Sequence, residues 1–446
     1  MRFVSYEFLL LLAVALVLYY TACRKCQWQL LLAASAVFYA RSGALHLLFI
    51  TATVASTFLA SMAMAKRERK RERRLPFALC LVFNIGILAF FKYSPLAFPL
   101  GLSFYTLQTM GYLIDCYRAR PGVKPALSNP FKLALFTSFF PQLTQGPISR
   151  FGELKDTLYA RHELKADDFT EGLLRVALGL FKKLVIAERL MPLLGIQGGF
   201  AGWCVSSLLY AVTIYCDFTG GLDIAIGVAR MFGIRLSENF DRPFYAKSVS
   251  EYWRRWHMTM GSWFRDYIFY PMSLWKPVLR LSKVKALGKR APVWVATTVT
   301  WLATGLWHGA TWNFVLWGLL NGLVILVSQE LTPFYKKFGK KYPKLSESKV
   351  FSAFRVVRTF LLVAAIRSLD LLTLASGKKG LLSLPVSALI VLVAAVLLLV
   401  IGEHRMRKLQ NPAARMGASL SLFLLTLVFG AYGAGYDVAS FIYTRF

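Results

Sequence analysis

The sequence predicts an all-α, polytopic integral membrane protein with about 11–12 transmembrane helices and further re-entrant or interfacial helices. Three observations predict it. The 446 residues are 57% hydrophobic, against about 45–50% in ordinary soluble domains. Apolar runs long enough to cross a bilayer, roughly 20 residues, recur along the whole chain. The 53 Lys and Arg outnumber the 22 Asp and Glu for a net charge of +31, and they cluster in short segments between the apolar runs, as cytoplasmic loops do. Helices and closed barrels alone satisfy their backbone in lipid, and the alternating short strands of a barrel are absent.

In chain order the expected spans are residues 8–22, 28–40, 45–65, 76–91, 99–115, 173–194, 201–215, 293–307, 311–327, 356–372, 381–401 and 419–432. Only Arg2 precedes the first run, while Arg24 and Lys25 follow it. A signal peptide has the opposite charge order, so 8–22 reads as an uncleaved first helix. Cys23 and Cys26 form a C-x-x-C, but no second pair or nearby His completes a zinc site. They read as small residues at a helix end, and no metal is expected. The basic segments 66–74 ("KRERKRERR"), 276–290, 336–349 and 405–415 fall on one side of an alternating topology whose N-terminus faces outward. That side is assigned to the cytoplasm, and the even count places both termini outside the cytoplasm.

Two segments resist reading as simple spans. Residues 131–147, "FKLALFTSFFPQLTQGP", are apolar but interrupted by Pro141, Gly146 and Pro147, with basic residues on both flanks. A re-entrant hairpin fits, since irregular backbone survives at membrane depth where protein buries it. Residues 217–233 carry Asp217, Asp223 and paired glycines. The two carboxylates suit a cation, and the glycines suit tight packing equally. The polar stretch 149–168 reads as a loop. With no linker and no fixed-period repeat, 1–446 reads as one domain: N-terminal helices (1–98), a core (99–330) and C-terminal helices (331–446).

The chemistry-bearing residues concentrate in two stretches. In "SVSEYWRRWHMTMGSWFRDYIFYP" (248–271), Ser248 and Glu251 form a capping box that starts a helix. At 100° per residue, Trp253, Trp256, Met260, Trp263, Phe264 and Tyr267 share one face, and Glu251, Arg254, Arg255 and Asp266 lie on the others. This predicts an amphipathic helix along the cytoplasmic interface, with His257 at the edge of its aromatic face. A plain interfacial anchor explains the tryptophans but not the Arg-Arg-Trp-His run with nearby carboxylates. In "WLATGLWHGATWNF" (301–314), His308 is the lone ionisable group in a long apolar run, near Trp307, Gly309, Trp312 and Asn313. A buried neutral His bonded to a carbonyl is the bland alternative. An ionisable group at membrane depth, beside glycine and a polar partner, reads as functional. His46, His162 and His404 lie in plain surroundings. No nucleophile elbow or P-loop is present, and the basic residues form no nucleic-acid-binding face.

"WRRWHMTMGSWFRDYIFYP" followed by "GLWHGATWNFVLWG" resembles the membrane-bound O-acyltransferase family. It is similar, more narrowly, to the bacterial branch of alginate O-acetylases and teichoic acid D-alanyl transfer proteins. Residues 99–118, 139–150, 215–244 and 440–446 match that branch as well. The resemblance covers about 99–327 and the C-terminal end, and the region 356–432 departs most, with Arg367 loosely matching a family arginine. It implies a ring of helices around a thin centre, with funnels from both faces, in a bacterial cell membrane. It also implies an acyl group, acetyl first among candidates, passing from a cytoplasmic thioester (acetyl-CoA or an acyl carrier protein) to a hydroxyl. The acceptor would be a cell-surface or exported glycan, reached directly or through a downstream extracytoplasmic acyltransferase. His308 matches the family's catalytic histidine and His257 its second functional position. Trp307, Trp312, Asn313, Glu251, Arg254, Arg255, Trp256, Asp266, Gln108 and Asp217 are candidates to line the donor and acceptor paths. No tightly bound cofactor is expected.

The residues agree with that chemistry. Acyl transfer to a hydroxyl needs a base, which imidazole supplies near neutral pH. No other nucleophile is at hand, so direct attack without an acyl-enzyme is expected. D-alanyl transfer to teichoic acid is the rival within the class. A transporter or flippase for a lipid-linked saccharide, with His308 as gate or proton relay, is the rival outside it. Transporters often carry inverted repeats, and none is evident.

Overall fold

The computed structural model describes residues 3–96, 98–120, 127–194, 199–284, 288–309, 311–374, 390, 393–394, 396–397 and 402–432. The expected span 381–401 lies almost wholly outside the described residues, and the motif 440–446 and the C-terminus lie outside them too. Among the described residues the structure is helical without strands, apart from one isolated bridge between Phe240 and Trp256. Five helices are long and apolar enough to cross a membrane: His46–Ala65, Arg74–Tyr93, Gly199–Met231, Trp312–Glu330 and Pro412–Phe429. Other expected spans fall on shorter helices, such as Tyr6–Tyr20, Gln27–Ala40 and Leu102–Arg118. The chain divides into two compact units: Met1–Arg189 with Ile214–Ser237 and Pro385–Phe446, and Leu190–Thr213 with Glu238–Leu384.

In the first unit, helix starts follow local chemistry. Ser5 accepts from the Phe8 amide, and Asn129 and Asn411 cap helices that begin with Pro130 and Pro412. A side-chain oxygen there satisfies amides that have no partner within the helix, and proline loses nothing at a first turn. The core is aromatic: Phe8, Phe38 and Phe140 pack with ring centroids 6.0–6.2 Å apart. Buried Gln27 closes its own bonding by donating to the carbonyls of Tyr19 (3.2 Å) and His162 (2.8 Å) and accepting from the His162 amide. The polar stretch 149–168 is therefore tied down, and part of it forms the helix Phe151–Leu158 rather than a loop.

The proline-interrupted segment is irregular where Pro141, Gly146 and Pro147 stand. A short helix, Pro130–Ser138, leads into irregular backbone that stays buried through residue 149. Several of its polar groups find partners inside the protein. Gln142 donates to the Phe136 carbonyl at 3.1 Å and accepts from Ser149 at 3.0 Å, and Ser35 accepts from the Phe140 amide at 3.1 Å.

Most of residues 217–233 belong to a regular helix. Gly199–Met231 is one continuous 33-residue helix. Its glycines serve close packing. A Cβ on Gly227 would stand 2.5 Å from the Gly172 carbonyl oxygen, and one on Gly179 would stand 2.5 Å from that of Gly220. Small residues at such a crossing let two backbones approach in lipid. Gly227→Ala should force the helices apart and cost about 1–3 kcal/mol, read as a lower melting temperature of the purified protein in detergent. An unchanged melt would show that the crossing yields freely.

The carboxylates on this helix differ from the cation-site reading, because the chain supplies the cations itself. The helix Ala166–Leu180 passes into a π-helical turn, Phe181–Ala187, which buries Lys182 and Lys183 completely. Lys183 pairs with Asp217 (2.6 Å) and Glu188 (2.5 Å). Asp223 meets Arg175 and Lys182 at 2.7 Å and Arg407 at 3.1 Å, and Glu403 shares Lys182 and Arg407.

In the second unit, the helices Ala291–His308 and Trp312–Glu330 pack closely through glycine. A Cβ on Gly305 would lie 2.4 Å from the Phe314 carbonyl oxygen, and one on Gly318 would lie 2.4 Å from that of Trp301. The segment 248–271 is not one helix. It forms Val249–Arg255, a break at Trp256 and His257, Met258–Phe264, and a π-helical turn Arg265–Phe269.

Candidate active site

The site begins with that break. His257 has φ of 49°, in the left-handed region, which costs a non-glycine residue about 1–3 kcal/mol. The surrounding backbone holds it there. The Asp241 amide donates to the Arg255 carbonyl and the Met258 amide to the Asn239 carbonyl, both at 3.0 Å, while Phe240 bridges Trp256. Ser248 caps the first helix as expected by accepting from the Glu251 amide, and Glu251 accepts in return from the Lys247 amide. His257 is therefore a fully buried residue at a helix–helix junction, not the edge of a continuous interfacial face.

Asn239 fixes the ring. Its Oδ1 takes the Thr259 amide (2.9 Å) and hydroxyl (3.0 Å). The same side chain lies against His257 Nδ1, its nitrogen at 3.2 Å and its Oδ1 at 3.3 Å, which holds the orientation of the imidazole. Burial, with the Arg367 guanidinium nearby, pushes this imidazole down to about 3. It is neutral at physiological pH, because both effects disfavour the cation.

His308 ends the helix Ala291–His308 and is buried. Extended backbone at Gly309 stops the helix (φ −176°), and a side chain there would collide with the Phe314 ring at 2.3 Å. Aromatic rings wall the imidazole: Trp317 at 4.8 Å edge-on, Trp307 at 5.0 Å, and Phe314 stacked at 6.2 Å. Trp307 also meets the His257 ring, with centroids 6.3 Å apart. The two histidines, 51 positions apart in sequence (308 − 257), thus pack on one indole.

A cavity of about 520 Å³ opens beside them. Trp253, Trp256, Phe264 and the stripe Thr297, Thr300 and Thr304 line it, and Arg254 and Arg265 stand on its wall. Phe264 reaches the Trp307 ring at 6.4 Å, so one lining side chain stands between the cavity and that indole. Arg367 packs on the lining residue Trp256. Its guanidinium lies 4.1 Å over Trp256, and its Nε donates to the Tyr252 hydroxyl at 3.2 Å. Asp370, close by in sequence, accepts from the Tyr210 hydroxyl at 3.1 Å.

The other sequence candidates separate. Trp256, Trp307 and Arg254 belong to this constellation. Asn313 accepts from Thr311 and donates to the Leu369 carbonyl at 3.4 Å, which ties the His308 region to the turn before Asp370. Glu251 pairs with Arg255 at 2.7 Å and Asp266 with Arg265 at 2.9 Å, both as local ion pairs. Trp312 is exposed. Gln108 and Asp217 sit in the first unit, where Gln108 donates to the Phe136 carbonyl at 3.3 Å and Asp217 pairs with Lys183. Sequence reasoning missed Asn239, Asp370, Phe314 and Trp317. Among the described residues no group of His, Cys, Asp and Glu is arranged to hold a metal ion.

Comparison with known proteins follows from this geometry. The sequence model of the membrane-bound O-acyltransferase family matches residues 118–362, which include both histidines and Arg254. The chain is 33% identical to the probable alginate O-acetylase AlgI of Pseudomonas aeruginosa over 74% of its own length and 66% of that protein's. It is 29% identical to the peptidoglycan O-acetyltransferase of Helicobacter pylori over 71% and 67%. It is 27% identical to the teichoic acid D-alanyltransferase of Bacillus subtilis over 58% and 65%. The chain thus spans about two thirds of the length of the relatives it matches.

Proposed function

Because the chain belongs to the membrane-bound O-acyltransferase family, and so is an acyltransferase, we propose that it moves an acyl group from a cytoplasmic thioester to a hydroxyl of a cell-surface or exported polysaccharide. One observation carries this reading: two buried imidazoles pack on Trp307 beside a cavity that bears two arginines. The acceptor hydroxyl gives its proton to His308 as its oxygen attacks the thioester carbonyl carbon. The C–O bond forms, the C–S bond breaks, and the proton passes to the departing thiolate. His257, neutral and oriented by Asn239, positions the thioester by a hydrogen bond. The apolar and threonine-lined cavity takes the donor's arm, and Arg254 and Arg265 attract the phosphates of acetyl-CoA or of a carrier protein's prosthetic arm.

Acetyl is favoured over D-alanyl by the higher identity to the O-acetylating relatives. The same reading keeps the ring of helices with funnels from both faces, the basic segments in the cytoplasm of a bacterium and both termini outside. It also leaves room for a downstream extracytoplasmic acyltransferase as the immediate recipient.

Purified protein given labelled acetyl thioester and polysaccharide should transfer label to the polysaccharide. A protein that moves the saccharide without transferring label would be the transporter instead. In that assay His257→Ala should raise the donor concentration needed for half-maximal rate and keep part of the chemistry. Unchanged donor dependence and rate would reduce His257 to a packing residue.

A further inference from the structure

The helix Trp312–Glu330 is long and apolar enough to span a membrane, and the helix Thr332–Lys341 follows it after Leu331 alone. At 100° per residue, Leu331, Phe334, Tyr335, Phe338 and Tyr342 fall within one 100° sector. Lys336, Lys337, Lys340 and Lys341 occupy the remainder. Phe338 packs inward, its ring 5.3 Å from Tyr342 and 5.7 Å from Phe351. The neighbouring apolar side chains stay open: Phe334 is 62% exposed, Val350 79% and Phe354 56%. Residues 331–350 hold six lysines against Glu347, a net charge of +5.

Topology sorting accounts for lysines on a cytoplasmic loop, but it needs no apolar face opposite them. Exposed aromatic rings on one side and cations on the other are the composition of a helix that lies in an anionic bilayer surface. We propose that Thr332–Lys341 lies in the membrane plane, with Phe334 and Tyr335 among the acyl chains and its lysines on anionic phospholipid head groups. The surface is continuous with the spanning helix before it, and no acidic residue lies within the helix to compete with the head groups. The proposal rests on the membrane location that family membership gives, not on the acyl donor or acceptor.

Hydrogen exchange of the full chain in nanodiscs tests it. Backbone amides of residues 332–349 should exchange about tenfold more slowly in discs containing phosphatidylglycerol than in phosphatidylcholine alone, and raised salt should narrow the difference. The variant K336Q/K337Q/K340Q/K341Q, which leaves the Phe338 packing intact, should lose the lipid dependence while Trp312–Glu330 keeps its protection. Equal exchange in both lipids, or a lipid dependence that survives the four substitutions, would overturn the proposal.

Discussion

His308→Ala should lower acyl transfer by about 10²–10⁴-fold, the range that general-base catalysis contributes, while the protein still inserts and purifies. The size of the loss follows from the surroundings. Trp307, Phe314 and Trp317 wall the ring, so the pocket offers little room for water to replace the base. The same exclusion limits wasteful hydrolysis of the thioester. Glutamine separates chemistry from packing, since it fills much of the space and keeps some hydrogen bonding but takes no proton at neutral pH. His308→Gln should therefore stay near the alanine rate. Transfer from labelled donor to polysaccharide, measured on monodisperse variants, decides the matter. A glutamine variant near wild-type rate would make His308 a structural residue. If the alanine variant does not fold, the glutamine variant still carries the test, because it should bind donor and fail to transfer.

The parts of this site that sequence made legible are those set by local rules. The long apolar runs, the Ser248–Glu251 cap and the helix end at Gly309 all depend on residues within a few positions. His308 stood out because an ionisable group in an apolar run is costly. The break at His257 gave no such signal, since neither glycine nor proline marks it. It exists because residues 239–241, more than a helix length away in sequence, bond to both of its flanks. Asn239 was invisible for the same reason. It sits in an aperiodic segment, and its meaning appears only when Thr259 and His257 converge on its amide. The residues of 217–233 leave a cation site and a tight helix crossing open until the partners of the carboxylates and glycines are known. A signal was present: Gly172 and Gly179 are spaced seven apart, as are Gly220 and Gly227, the repeat that two antiparallel helices need to meet twice.

The second large effect is expected far from the chemistry, at Asp223. Its carboxylate is 1% exposed and meets three cations, Arg175, Lys182 and Arg407. Glu403 shares two of them and accepts from the Tyr215 hydroxyl at 3.2 Å. Asp223→Asn keeps the shape and removes one negative charge, so Lys182 and Arg407 keep Glu403 while Arg175 loses its bond to this carboxylate. Stranding a buried charge in this way costs about 3–5 kcal/mol, visible as a large fall in melting temperature or in the yield of monodisperse protein. Lys182→Met should be destabilising for the mirror-image reason. The pair is most telling together, because the double variant removes one charge of each sign and should lose clearly less stability than the two single losses added. Charges in contact are coupled in this way and distant ones are not. Strict additivity, or an Asp223→Asn protein that melts like the wild type, would mean that water reaches the cluster and that the π-helical turn is held by packing instead.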